Sequence, residues 1–169
     1  MENDDNNKMK LIDDINDCVE KLYQEDGYLF EHDLCERCLM FRTAYYLQKV
    51  FEGYYVDCEF IKVGSEKSNT GNKMDIRNNR KMYTDIIVHK RDANQFNNLI
   101  CLELKRTKRG IDSDKQRLCD ITDSNKNYIN SKYRLGVLLY LPKVKKDCSI
   151  LYFENGKQTG GRITYVLSF

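Results

Sequence analysis

The sequence predicts an α/β or α+β sandwich with a mixed central sheet, on three observations. Its elements read in the order helix, three strands, helix, strand, hairpin. The stretch YRLGVLLYL (133–141) is continuously apolar, the pattern of a central strand covered on both faces. A helix between 105 and 133 supplies the crossover expected when the strands on either side lie parallel. A chain of 169 residues, 41% hydrophobic and 32% charged, suits one domain spanning 1–169 with a real core.

Each element has its own signal. Residues 1–8 are polar and are expected to fray. Met9, Leu11, Ile12, Ile15, Val19 and Leu22 recur at helical spacing and predict a helix over 9–24, broken at Gly27. A stronger helix is expected over 31–51, closed by Gly53. YYVDCEFIKV (54–63) alternates like a strand. Residues 64–80, rich in Gly and Asn, read as a long loop. Strands are expected at 83–89 and 98–105, then a helix over 112–129 that is weakly apolar through Leu118 and Ile121. After Pro142 the tail predicts a β-hairpin turning at Asn155-Gly156 or Gly160-Gly161.

Composition narrows the functional classes. No apolar run reaches membrane-spanning length and the N-terminus lacks a signal-peptide pattern, so the expected setting is cytoplasmic, with no membrane partner. Seven scattered cysteines do not form the framework of a small secreted protein; most are expected to be buried thiols. Cys35 and Cys38 make one CxxC, yet no second pair or HxxxH completes a zinc site. The net charge of +2 forces no polyanion partner. Basic residues concentrate in two stretches, however: Lys73, Arg77, Arg80, Lys81, Lys90 and Arg91, then Lys105, Arg106, Lys108, Arg109, Lys115 and Arg117. Such stretches can hold a phosphate backbone.

Between them, two apolar strands carry charge. Asp85 opens the first; Glu103 and Lys105 lie in the second, on one face with Leu99 and Cys101. If the strands pair as a meander, Asp85 and Glu103 sit at neighbouring positions. Close carboxylates repel, and burial disfavours their charge further. A divalent cation relieves both, and Mg²⁺ takes a few carboxylates together with water and phosphate oxygens. A lysine alongside can bind the scissile phosphate or, with its pKa lowered by burial, help generate the nucleophile. Glu36 shares a helix face with Met40, Thr43 and Leu47 and could reach the same place. Blander readings exist for each. Asp85 could terminate a strand, Glu103 and Lys105 could be an exposed edge pair, and Glu36 a surface residue. Arg77 and Arg80 could be solvated loop charges, and His89 could have a purely local partner.

The order of elements, with Asp85, Glu103-Leu104-Lys105 and an upstream helix bearing Glu36, resembles the PD-(D/E)XK nuclease superfamily, the restriction-endonuclease-like fold. TDIIVHKRD through LICLELKR, with ERCLMFRTAYYLQ upstream and YRLGVLLYL downstream, is similar to a group of small bacterial proteins within it. The resemblance covers residues 30–141, the αβββαβ core. It implies Mg²⁺- (or Mn²⁺-) dependent phosphodiester hydrolysis. Asp85 and Glu103 would match the metal-binding acids, the Leu104 carbonyl a further ligand, Lys105 the motif lysine and Glu36 the helix carboxylate. Thr84 stands where the motif has proline. Arg77, Arg80, Arg106, Lys108, Arg109 and Arg117 are the candidate nucleic-acid contacts, with Asp114 and Lys115 beside the last. DNA is favoured over RNA only by the resemblance. A homodimer would allow two strands to be cut, although no residue marks its interface. The alternatives are a catalytically silent protein of this fold that binds nucleic acid or a protein partner, and a small-molecule phosphohydrolase.

Overall fold

The computed structural model describes residues 2–59, 74–75, 80–81, 84–91, 97–125, 132–142, 148–160 and 163–164, with side chains from residue 7 onward except in 74–75, 80–81 and 163–164. The helices are α1 (Glu2–Glu25), α2 (Gly27–Glu31), α3 (Glu36–Val50) and α4 (Ile111–Thr122). The strands are β1 (Tyr55–Cys58), β2 (Met74–Asp75), β3 (Arg80–Lys81), β4 (Ile86–His89), β5 (Asn98–Lys105), β6 (Leu135–Tyr140), β7 (Ser149–Glu154), β8 (Lys157–Gln158) and β9 (Ile163–Thr164).

The main sheet runs β1-β4-β5-β6-β7-β8, with β9 also paired to β7, and it is mixed as expected. β1, β4 and β5 form an antiparallel meander. β5 and β6 are parallel, and α4 is the crossover between them. β7 returns antiparallel to β6. Asn155 and Gly156, both at positive φ (48° and 80°), make the turn from β7 into β8, one of the two turns the sequence offered.

Alternation along the strands decides what each face of the sheet meets. Ile86, Val88, Ile100, Leu102, Leu104, Val137 and Leu139 pack with Leu11, Ile15, Leu22, Leu39 and Leu47 of α1 and α3. The opposite face carries Ile87, Cys101, Leu138 and Phe153 against Leu118 and Ile121 of α4. Gly136 allows that approach: a Cβ there would lie 3.1 Å from Phe153 Cβ and 3.3 Å from Leu118 Cβ.

Several boundaries differ from the sequence reading. α1 begins at Glu2, ahead of the expected start. Of the helix expected over 31–51, Glu36–Val50 forms α3; Glu31 instead ends α2, and the chain turns through 32–35, with Asp33 at positive φ (53°). α4 ends at Thr122, whose hydroxyl donates back to the Leu118 carbonyl while Asp123 turns extended. The stretch 64–80, expected as a loop, contributes β2 and β3, which pair with each other. Its remaining residues, and 60–63 of the expected first strand, lie outside the described residues. None of the seven cysteines is disulfide-bonded, but only Cys18, Cys101 and Cys148 are buried, fewer than expected.

Candidate active site

The β4–β5 register pairs Ile86 with Leu102. One step further sets Asp85, just ahead of β4, across from Glu103. Asp85 Oδ2 accepts a hydrogen bond from the Leu104 amide at 2.7 Å. Glu103 and Lys105 alternate onto the α4 face, and Glu103 is only 2% exposed. From α4, Asp114 and Arg117 project into the same place. Lys105 Nζ lies 3.2 Å from Asp114 Oδ2, and Arg117 Nε lies 3.5 Å from Glu103 Oε1. A second arm of Arg117 contacts Asp114. Glu36, the first residue of α3, accepts the Arg106 amide at 3.1 Å. Asp85, Glu103 and Lys105 therefore come together, and Glu36 stands close enough to bias the charge of Asp85 and Lys105.

Four carboxyl groups here face two cations, and the imbalance shows in their acidities. Burial raises Asp85; the Leu104 amide and Lys105 pull it down, while Glu36 and Asp114 push it up. Burial also pushes Glu103 up to about 8, eased by Arg117 and aggravated by Asp85 and Asp114. Glu103 Oε1 is buried and, although near Arg117, accepts no hydrogen bond. Burial pulls Lys105 down, but Asp114, Glu36 and Asp85 outweigh it and leave it raised. The expectation of a lysine lowered by burial is therefore not met: Lys105 is an ammonium.

The expected phosphate contacts divide. Arg106 donates to the Leu34 carbonyl at 2.8 Å and to Asp33 at 3.0 Å, so it ties the turn before α3 to the end of β5. Arg117 is committed to Glu103 and Asp114. Lys108 and Arg109 are exposed. Lys108 lines a cleft of about 440 Å³ with Lys115, Tyr140 and Leu151. Tyr140 is the register partner of Lys105, so the cleft opens beside the site. Arg77 lies outside the described residues; Arg80 is in β3, its side chain undescribed.

Asp114 is the residue whose part the sequence reading missed. The sequence sets it only beside a candidate phosphate contact, Arg117, yet it is 2% exposed and holds Lys105. Its spacing from Leu118 and Ile121 put it on the inward stripe of the helix, which was the available signal. His89 has the local partner that the blander reading gave it, Asp57, at 2.8 Å.

Compared with protein-family models, curated proteins and solved structures, the chain finds no match in any of the three. Among the described residues no helix is long and apolar enough to cross a membrane.

Proposed function

We propose that the chain is a divalent-metal-dependent phosphodiesterase of the PD-(D/E)XK type acting on nucleic acid, DNA before RNA. The observation that carries the reading is the placement of Asp85 across from Glu103 with Lys105 on the same face, in a cluster short of positive charge. That shortage is also the test of fit. Two neighbouring carboxyl groups with raised pKa values, one with an oxygen that accepts no hydrogen bond, suit a hard cation. Among the described residues no three His, Cys, Asp or Glu side chains converge on a metal-sized point, so water and backbone oxygen would complete the shell.

Asp85 and Glu103 would hold Mg²⁺ or Mn²⁺ with the Leu104 carbonyl. Bound there, the ion supplies Lewis-acid polarisation of a phosphoryl oxygen and water of lowered pKa. Lys105, kept charged and pinned by Asp114, sets an ammonium where negative charge grows during attack. Arg117 offsets the buried carboxylates and fixes α4 against β5. Glu36 steadies the end of β5 through the Arg106 amide. Lys108 and Arg109, exposed just beyond β5, would contact the nucleic-acid backbone.

Incubation with single- and double-stranded DNA and RNA, with Mg²⁺ and with Mn²⁺, tests the reading. Cleavage is expected with either metal, to be abolished by a chelator and strongly reduced by Lys105→Ala. Cleavage that persists undiminished in Lys105→Ala would assign the activity elsewhere.

One observation favours the second reading, a silent binding protein of this fold: Arg117 already stands 3.5 Å from Glu103, where it competes with a metal. Metal binding separates the two readings.

A further inference from the structure

We propose that Cys35 and Cys38 form a reactive dithiol that undergoes exchange with small disulfides of the glutathione class. The sulfurs are 3.3 Å apart and hydrogen-bonded to each other. Cys35 is the N-cap of α3, with extended backbone, and Cys38 is the third residue of that helix. The Cys38 amide donates to the Cys35 carbonyl at 3.0 Å, which fixes the two residues around a single turn. Closing to an S–S bond of roughly 2.05 Å needs only a small side-chain movement.

Accessibility sorts the roles. Cys35 is exposed and Cys38 half-buried. Cys35 is therefore the attacking sulfur and Cys38 the resolving one. The Cys38 hydrogen bond, with amides at the start of the helix, also favours the Cys35 thiolate. Four of the other five cysteines contrast with this pair. Cys18, Cys101 and Cys148 are buried. Cys58 is exposed, but partial burial and the carboxylates of Asp57, Glu59 and Asp85 push its thiol up. Two sulfurs also fill only half of a tetrahedral zinc shell, and no third ligand joins them among the described residues.

The chemistry balances with the disulfide as oxidant. The Cys35 thiolate attacks one sulfur of RSSR; the S–S bond breaks, and RS⁻ leaves and takes up the proton Cys35 had lost. The Cys38 thiolate then attacks Cys35 Sγ in the mixed disulfide and releases the second RS⁻, which takes the Cys38 proton. Two thiols are oxidised to one disulfide, and RSSR is reduced to two RSH.

The test equilibrates the full chain with oxidised glutathione, followed by acid quench, alkylation and peptide mass mapping. The Cys35–Cys38 peptide is expected to lose two hydrogens, about 2 Da, and to regain them with dithiothreitol. Cys38→Ser is expected to accumulate glutathione on Cys35, and Cys58 to be modified at least about tenfold more slowly. Cys35→Ser serves as the second variant and should leave Cys38 largely unmodified. A pair that stays reduced, or equal rates at Cys35 and Cys58, would overturn the assignment. The readout is at sulfur, so it is independent of whether the chain cleaves phosphodiesters.

Discussion

Strand β4 ends in two polar clusters of opposite balance. At its C-terminal end, Asp57 receives His89 at 2.8 Å and Arg91 Nε at 3.0 Å. Hydrogen bonds from Arg91 and then His89 outweigh burial and hold the Asp57 carboxyl below its ordinary value. At the other end, Asp85 joins Glu103, Asp114 and Glu36 around Lys105 and Arg117, and both Asp85 and Glu103 are raised. The two ends of β4 thus adjoin a carboxylate whose charge is answered within the fold and a pair whose charge is not. The first arrangement stabilises; the second is held in place by the rest of the fold and leaves a use for an outside cation.

The comparison can be broken in order of effect. Lys105→Ala should reduce cleavage by roughly 10²-fold or more, because it removes the ammonium held beside Asp85 and Asp114. An equal substitution at the far end, Asp57→Asn, should leave the rate per folded molecule unchanged. Initial rates on a labelled oligonucleotide check both.

Arg117→Met should lower stability by about 3–5 kcal/mol, since it leaves Glu103 and Asp114 with less compensation in a buried place. The denaturant midpoint measures it.

Glu103→Gln should change stability in a pH-dependent way, measured with a chelator present. A carboxyl raised to about 8 in the folded state binds its proton more tightly there than when unfolded. Its contribution is therefore fully present below the unfolded value, near 4.5, and is lost as pH rises through about 8. The variant should match the wild type in acid and exceed it at pH 9 by roughly a few kcal/mol.

Asp57→Asn should cost about 1–3 kcal/mol at neutral pH through its weakened hydrogen bonds to His89 and Arg91. Here the sign reverses. A lowered carboxyl stabilises above its unfolded value of 3.8, and the wild-type advantage fades as pH falls through the lower folded value. Melting curves across pH would show both variants approaching the wild type in acid and departing from it in opposite directions as pH rises, Glu103→Gln upward and Asp57→Asn downward.

Much of the site was legible because β5 obeys a period of two. Asn98–Lys105 matches the expected strand, and alternation alone puts Glu103 and Lys105 on one face and Ile100, Leu102 and Leu104 on the other. Pairing of the two strands as a meander then brings Asp85 near Glu103, and the observed register sets them opposite. What escaped depends on contacts distant in sequence. The turn before α3 is fixed by Arg106 reaching back to Asp33 and Leu34, so the start of the helix at Glu36 could not be read from local pattern. Arg117 looked like a free cation because its partner Glu103 lies on another element. Asp114 sat on the inward stripe in plain view, but an acidic residue in the first turn of a helix also reads as an ordinary N-terminal charge.

The central claim is that Asp85 and Glu103 share one divalent ion. Calorimetric titration of Mn²⁺ and Mg²⁺ into the wild type and Asp85→Ala tests it most directly. One ion should bind per wild-type chain, and the heat should vanish in the variant while its circular dichroism stays native. A wild type that binds neither metal, or an Asp85→Ala protein that binds equally well, would contradict the account.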